Sequence, residues 1–80
     1  MIQTVKFVFG GDTEIYAQIY PNDNAVDFCE IEDAISSYLD SVNYGTDIQL
    51  VEDVLGSFPF DFTILCGDFS KVTPSHVFLV

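Results

Sequence analysis

His76 is the single histidine of the chain and Cys29 and Cys66 are its two cysteines, so nucleophilic or thiolate-metal chemistry would have to begin with these three side chains. A Cys-His or Ser-His pair activates its nucleophile by passing a proton to imidazole, which requires His76 to meet Cys29, Cys66 or a serine in space. Nothing in the spacing brings them together. A structural zinc site is built from closely spaced pairs of ligands, and Cys29, Cys66 and His76 form no such pairs. Asn22, Asp23, Asn24 and Asp27 make an oxygen-rich cluster. It lacks the alternating acids, central glycine and distal bidentate glutamate of an EF-hand loop, and a turn followed by a helix N-cap accounts for it. Gly10-Gly11 precedes Asp12 between two strand-like segments rather than ahead of a helix, so it reads as a turn and not as a phosphate-cradling loop. The expectation is a protein with no catalytic residue, no metal site and no cofactor. Both cysteines are expected as free thiols in a reducing compartment.

The charge distribution is harder to dismiss. Eighty residues carry two Lys or Arg against thirteen Asp or Glu, a formal net charge of −11. All thirteen acids lie between Lys6 and Lys71, in a stretch with no other Lys or Arg. Two lysines cannot form the basic patch that grips phosphates, which argues against direct binding of DNA or RNA. A 49% hydrophobic content with 15% aromatic residues is ample for a folded core, so this is read as a single domain, 1–80, and not as a disordered acidic tail. The apolar runs, such as Phe62 to Gly67 and Pro74 to Val80, are strand-sized and too short to span a membrane. Met1 to Phe9 has no basic n-region or small-residue cleavage site, so a cytoplasmic address is expected, that of the host cell if the protein is phage-encoded.

Several short elements must position these charges. Val5, Phe7 and Phe9 alternate with Thr4, Lys6 and Val8, and Ile15, Ala17 and Ile19 alternate with Tyr16, Gln18 and Tyr20. With Gly10-Gly11-Asp12 as the turn, the first twenty residues predict an antiparallel hairpin, ended by Pro21-Asn22-Asp23-Asn24. Phe28, Ile31, Ile35, Tyr38, Leu39 and Val42 recur at helical steps, with Asp27 and Glu30 at the spacing of a capping box. Asn43-Tyr44-Gly45 breaks that helix. Thr46 and Gln49 repeat the capping spacing ahead of Ile48, Val51, Val54 and Leu55, with Gly56 as a C-terminal stop, so a second short helix is expected; a strand over Ile48 to Val51 competes with it. Phe60, Phe62 and Ile64 alternate with Asp61, Thr63 and Leu65 as a further strand, ended by Gly67-Asp68, and His76 to Val80 is a last one. The order β-β-α-(α)-β-β implies an α+β fold of two layers, a mostly antiparallel sheet with one or two helices on one face.

At 100° per residue, Glu30, Asp33 and Asp40 fall within an arc of about 80° opposite the apolar stripe, with Ser37 between them, and extend over about 15 Å. Glu52 and Asp53 would add to the outer side of the second helix. On an ordinary exposed helix such acids are answered by Lys or Arg four residues away, and here the answering cation is always missing. Eleven net charges equal those on about 19 Å of duplex DNA, comparable with the roughly 30 Å diameter of a chain this size. A surface of that kind would be attracted to the cationic groove of a nucleic-acid-binding protein or complex, and steering by complementary charge would make its capture fast. Tyr16, Tyr20 and Tyr44 are candidates for interface anchors.

In size, acidity and absence of catalytic motifs, the chain resembles the small inhibitors that phages direct against host nucleases: anti-CRISPR, anti-restriction and other DNA-mimic proteins. The resemblance is one of composition and carries no residue over. It implies an inhibitor that is not an enzyme and blocks the cationic DNA- or RNA-binding site of a host defence effector. The expected partner-binding residues are Asp27, Glu30, Asp33, Asp40, Tyr44, Glu52 and Asp53. An antitoxin or immunity protein facing a basic toxin would use the same electrostatics. A third reading is a structural or assembly subunit, such as a homodimer, that pairs through a sheet edge along Val77 to Val80. Excess acid also serves solubility in a high-salt cytoplasm, a fourth reading that predicts unfolding at low salt.

Overall fold

A computed structural model describes residues 2–21, 26–41, 45–65 and 73–80. Strands β1 (Gln3–Val8) and β2 (Glu14–Tyr20) are followed by helices α1 (Phe28–Ser41) and α2 (Asp47–Gly56), then β3 (Asp61–Leu65) and β4 (His76–Leu79). The four strands form one sheet in the order β3-β2-β1-β4. This is the expected two-layer α+β arrangement, with two of the three strand pairings antiparallel and β1–β4 parallel.

The hairpin closes where the sequence offers a left-handed pair. Gly11 and Asp12 have φ of 78° and 67°, and Phe9 N donates to the Thr13 carbonyl at 2.8 Å. Glycine takes this conformation without cost and Asp is among the few residues that tolerate it. The resulting register places Val5 opposite Ala17 and Phe7 opposite Ile15. Val5, Phe7, Ala17, Ile19 and Phe78 are almost fully buried on one face of the sheet, under Ile31 and Ile35 of α1 and Leu50, Val51, Val54 and Leu55 of α2. Both helices therefore cover the same face. Burying each of these large side chains contributes about 1.5–3 kcal/mol.

The helix starts follow the capping signals. Asp27 Oδ1 accepts from the amides of Cys29 and Glu30 at 3.0 and 3.3 Å, and Thr46 Oγ1 accepts from Gln49 N at 3.1 Å. Residues 48–51 are helical, which settles the strand alternative against it. Gly56 is still within α2, and the cap is Ser57 in a right-handed conformation, its hydroxyl donating to the Val54 carbonyl at 2.7 Å. The Val54 carbonyl, among the last four of the helix, thus accepts both the amide and the hydroxyl of Ser57. Leu39 departs from the predicted stripe: it is 41% exposed, at the edge of the apolar arc whose centre Ile31 and Ile35 occupy. Val42, Asn43, Tyr44, the turn over Asn22, Asp23 and Asn24, Cys66 and Gly67-Asp68 lie outside the described residues. No helix is long and apolar enough to cross a membrane among those that are described.

Candidate functional site

The outward surface of α1 is where the expected acid row stands. Glu30, Asp33, Ser37 and Asp40 are all exposed, while Ile31 and Ile35 on the opposite side are buried. The amphipathic pattern alone dictates this, because a helix with one apolar stripe on a sheet must turn its polar arc to solvent. Among the described residues the carboxylates that meet a lysine or histidine side chain are Glu14, 2.7 Å from Lys6 Nζ, and Glu32, 2.7 Å from His76 Nε2. Glu30, Asp33 and Asp40 are not among them. The hydrogen bond to Glu14 holds the Lys6 ammonium above its ordinary pKa, so this cation is committed to the hairpin and stays on the far face of the sheet from the helices.

Asp40 sits in the last turn of α1, which contains no basic residue. Negative charge there opposes the helix dipole and costs about 0.3–1 kcal/mol at low ionic strength. Glu30, in the first turn, gains from the same dipole.

The other expected residues divide by role. Asp27 caps α1, so its carboxylate already accepts two amide hydrogen bonds. Asp53 is turned toward α1, where Tyr38 donates its hydroxyl to Oδ2, and Gln49 Nε2 donates to Oδ1 at 2.9 Å from one turn earlier in α2. Glu52 is exposed and lies about 100° around α2 from Asp53, on the flank turned away from α1. The acids of α2 therefore do not extend the α1 row as a single line: Asp53 stands in the seam between the helices and Glu52 beyond it. Tyr44 lies outside the described residues. Tyr16 and Tyr20 project from the sheet face away from the helices, but Tyr16 is buried, with Lys6 Nζ 5.8 Å from its ring centre, and Tyr20 donates to Gln18 Oε1 at 3.0 Å. Tyr16 thus offers little surface to a partner.

Two contacts had no local signal in the sequence. Glu32 meets His76 across the α1–β4 boundary, and the His76 ring stacks on Phe28 with centroids 4.6 Å apart and an interplanar angle of 13°. Tyr38 meets Asp53 across the helix pair. Each joins residues far apart in sequence, so only the packing of α1 reveals them.

Magnitudes set what the acid row can do. About 15 Å of one DNA strand carries between four and five phosphates, against three carboxylates over the same rise of α1. The row alone is sparser than nucleic acid. Glu52 and Asp47 add charge on α2, which gives five carboxylates on a layer of a molecule 32 Å long, about half the number of phosphates one DNA strand carries over that length. Among the described residues no three His, Cys, Asp or Glu side chains converge as a metal ion would require. No protein-family model matches the chain, and neither a curated protein nor a solved structure matches it.

Proposed function

We propose that the protein is a non-enzymatic inhibitor that presents carboxylates where phosphates would sit. It would block the DNA- or RNA-binding groove of a basic host defence effector, such as a CRISPR surveillance complex or a restriction enzyme, in the host cytoplasm. The observation that supports this reading is the solvent face of α1, where Glu30, Asp33 and Asp40 are exposed and no described cation answers them. The position of Asp40 adds weight, because the helix keeps a carboxylate where its own dipole disfavours one. Glu30, Asp33, Asp40 and Glu52 carry the contact in this reading. Asp27 and Asp53 hold the helices that present them, and their remaining lone pairs add to the field.

The binding is electrostatic in origin, so affinity falls steeply as salt rises. The test is capture of nucleic-acid-binding proteins on the immobilised chain, eluted with a salt gradient and challenged with free duplex. A Glu30→Gln/Asp33→Asn/Asp40→Asn chain serves as the control. The reading predicts a partner that duplex displaces and the triple variant fails to hold. A partner retained equally by the triple variant overturns it.

A further inference from the structure

The second edge of the sheet has a different character from the helical layer. β4 is hydrogen-bonded to β1 alone among the described strands, so no described strand pairs with its other side. The direction of its backbone groups follows from the ladder. Ser75 N donates to the Thr4 carbonyl at 2.7 Å and Val80 N to the Val8 carbonyl at 2.9 Å, so the even-numbered carbonyls of β1 face β4. Lys6 stands opposite Val77, and in a parallel pair it bonds to the residues on either side of its partner. The amides and carbonyls of Val77 and Leu79 are therefore directed to the open edge.

Within the strand itself, the described residues of this edge carry none of the usual protection. Natural sheets guard an edge with Lys, Pro, inward charges or a covering element, and His76-Val77-Phe78-Leu79 has no Lys, Pro or acid. β3, at the opposite edge, begins with the exposed Asp61, whereas a proline stands two residues ahead of both strands, Pro59 and Pro74. Val77 is 42% exposed and Leu79 82%. Two of the five large apolar side chains exposed among the described residues, Val77 and Leu79, thus belong to this one edge strand.

Charge restricts where a second copy can dock. A chain of net charge −11 repels its own copies, unless they meet where its carboxylates are absent or already engaged. The β4 flank is such a place among the described side chains: residues 76–79 carry no carboxylate, and the carboxylate that touches the strand, Glu32, lies 2.7 Å from His76 Nε2. The strand is also self-complementary. An antiparallel neighbour related by a two-fold axis at Phe78 sets Val77 opposite Leu79 of the second copy, and Leu79 opposite its Val77. Both open-edge residues then exchange their N–H and C=O groups, and every outward side chain meets an apolar one. We propose that two copies of this chain associate edge to edge through β4, joining their sheets into one of eight strands with both α1 helices on the same face. The proposal stands apart from the inhibitor reading and differs from it in its salt dependence. Screening weakens repulsion between two acidic copies, so self-association strengthens with salt while capture by a cationic partner weakens.

The test is sedimentation of the purified chain between about 5 and about 500 μM, at about 0.02 and about 0.5 M salt. It is repeated with Leu79→Lys and with Val77→Lys, which lower the net negative charge, so any loss of association cannot come from added repulsion. Amide exchange of Val77 and Leu79 is followed in the native chain over the same concentrations. The expected result is a dimer whose dissociation constant falls at least about threefold at the higher salt and rises at least about tenfold in either variant. The Val77 and Leu79 amides should become protected as the dimer forms. A monomer throughout, an open-ended assembly, or a dimer indifferent to both substitutions with these amides unprotected would overturn it. If a variant fails to fold, the exchange of the native chain decides alone.

Discussion

Tyr38 of α1 donates its hydroxyl to Asp53 of α2, and this side-chain hydrogen bond joins the two helices at the surface of their layer. A carboxylate expected to serve a partner thus also joins the two helices. Tyr38→Phe and Asp53→Ala should each destabilise the protein by about 0.5–2 kcal/mol, with a coupling of about 0.5–1.5 kcal/mol in the double-mutant cycle. Chemical denaturation of the four chains measures this, and purely additive losses would show that the contact contributes nothing.

Asp40 leads to the opposite expectation. Asp40→Asn removes a charge that opposes the α1 dipole, so it should raise stability by about 0.3–1 kcal/mol at low salt and by less at high salt. In the proposed function the same substitution weakens partner capture. Thermal unfolding together with a binding assay on one variant therefore separates stability from recognition. A variant that loses both would place Asp40 in the fold instead.

Asp27 can be divided in the same way. Ser caps a helix about as well as Asp, whereas Ala does not. Asp27→Ser should leave stability within about 0.5 kcal/mol of the parent while Asp27→Ala costs about 1 kcal/mol. Equal losses in the two variants would mean that the charge, and not the pair of accepted amides, is what α1 needs.

The alkaline limb of stability should report Lys6. Its folded-state pKa is raised, chiefly by the hydrogen bond to Glu14. The stability this confers is fully present below the unfolded value of about 10.4 and is lost as pH rises through the higher folded value. Lys6→Gln should therefore be less stable than the parent at neutral pH, and the gap should close at strongly alkaline pH. A gap that is constant across that range would assign the loss to packing on Tyr16.

Unanswered carboxylates predict one more behaviour. The melting temperature should rise with sodium chloride between about 0.02 and about 0.5 M, because screening relieves repulsion across the helical layer. A flat or falling dependence in differential scanning calorimetry would show that the acids do not repel one another appreciably.

Local periodicity carried most of the architecture. Alternation in residues 4–9 and 14–20 with the Gly11-Asp12 turn sets the hairpin, and the Ile31/Ile35 stripe and the Asp27 and Thr46 caps set the helices. The exposed acid row followed from the same stripe, since the polar arc of α1 is whatever the apolar arc leaves. What local pattern could not show was contact between distant segments. His76 to Leu79 reads as a strand, but nothing in those residues says that it runs parallel to β1 or that His76 will meet Glu32. Asp53 looks outward on a helical wheel, and only the placement of α1 turns it toward Tyr38. Leu39 matches the stripe by spacing yet lies at its margin, where it is 41% exposed.

The parallel pairing of β1 with β4 ties position 5 to position 76, whereas the hairpin closes within the first twenty residues. Ordering so long a loop costs about 2 kcal/mol more chain entropy than closing the hairpin turn. This raises the contact order, and β4 is expected to dock late, after hairpin and helices have assembled. Until it does, the backbone groups of β1 that face β4 remain unsatisfied. A strand from another molecule can then take the place of β4 before its own chain does, so a misassembled oligomer is a kinetic hazard of folding at high concentration.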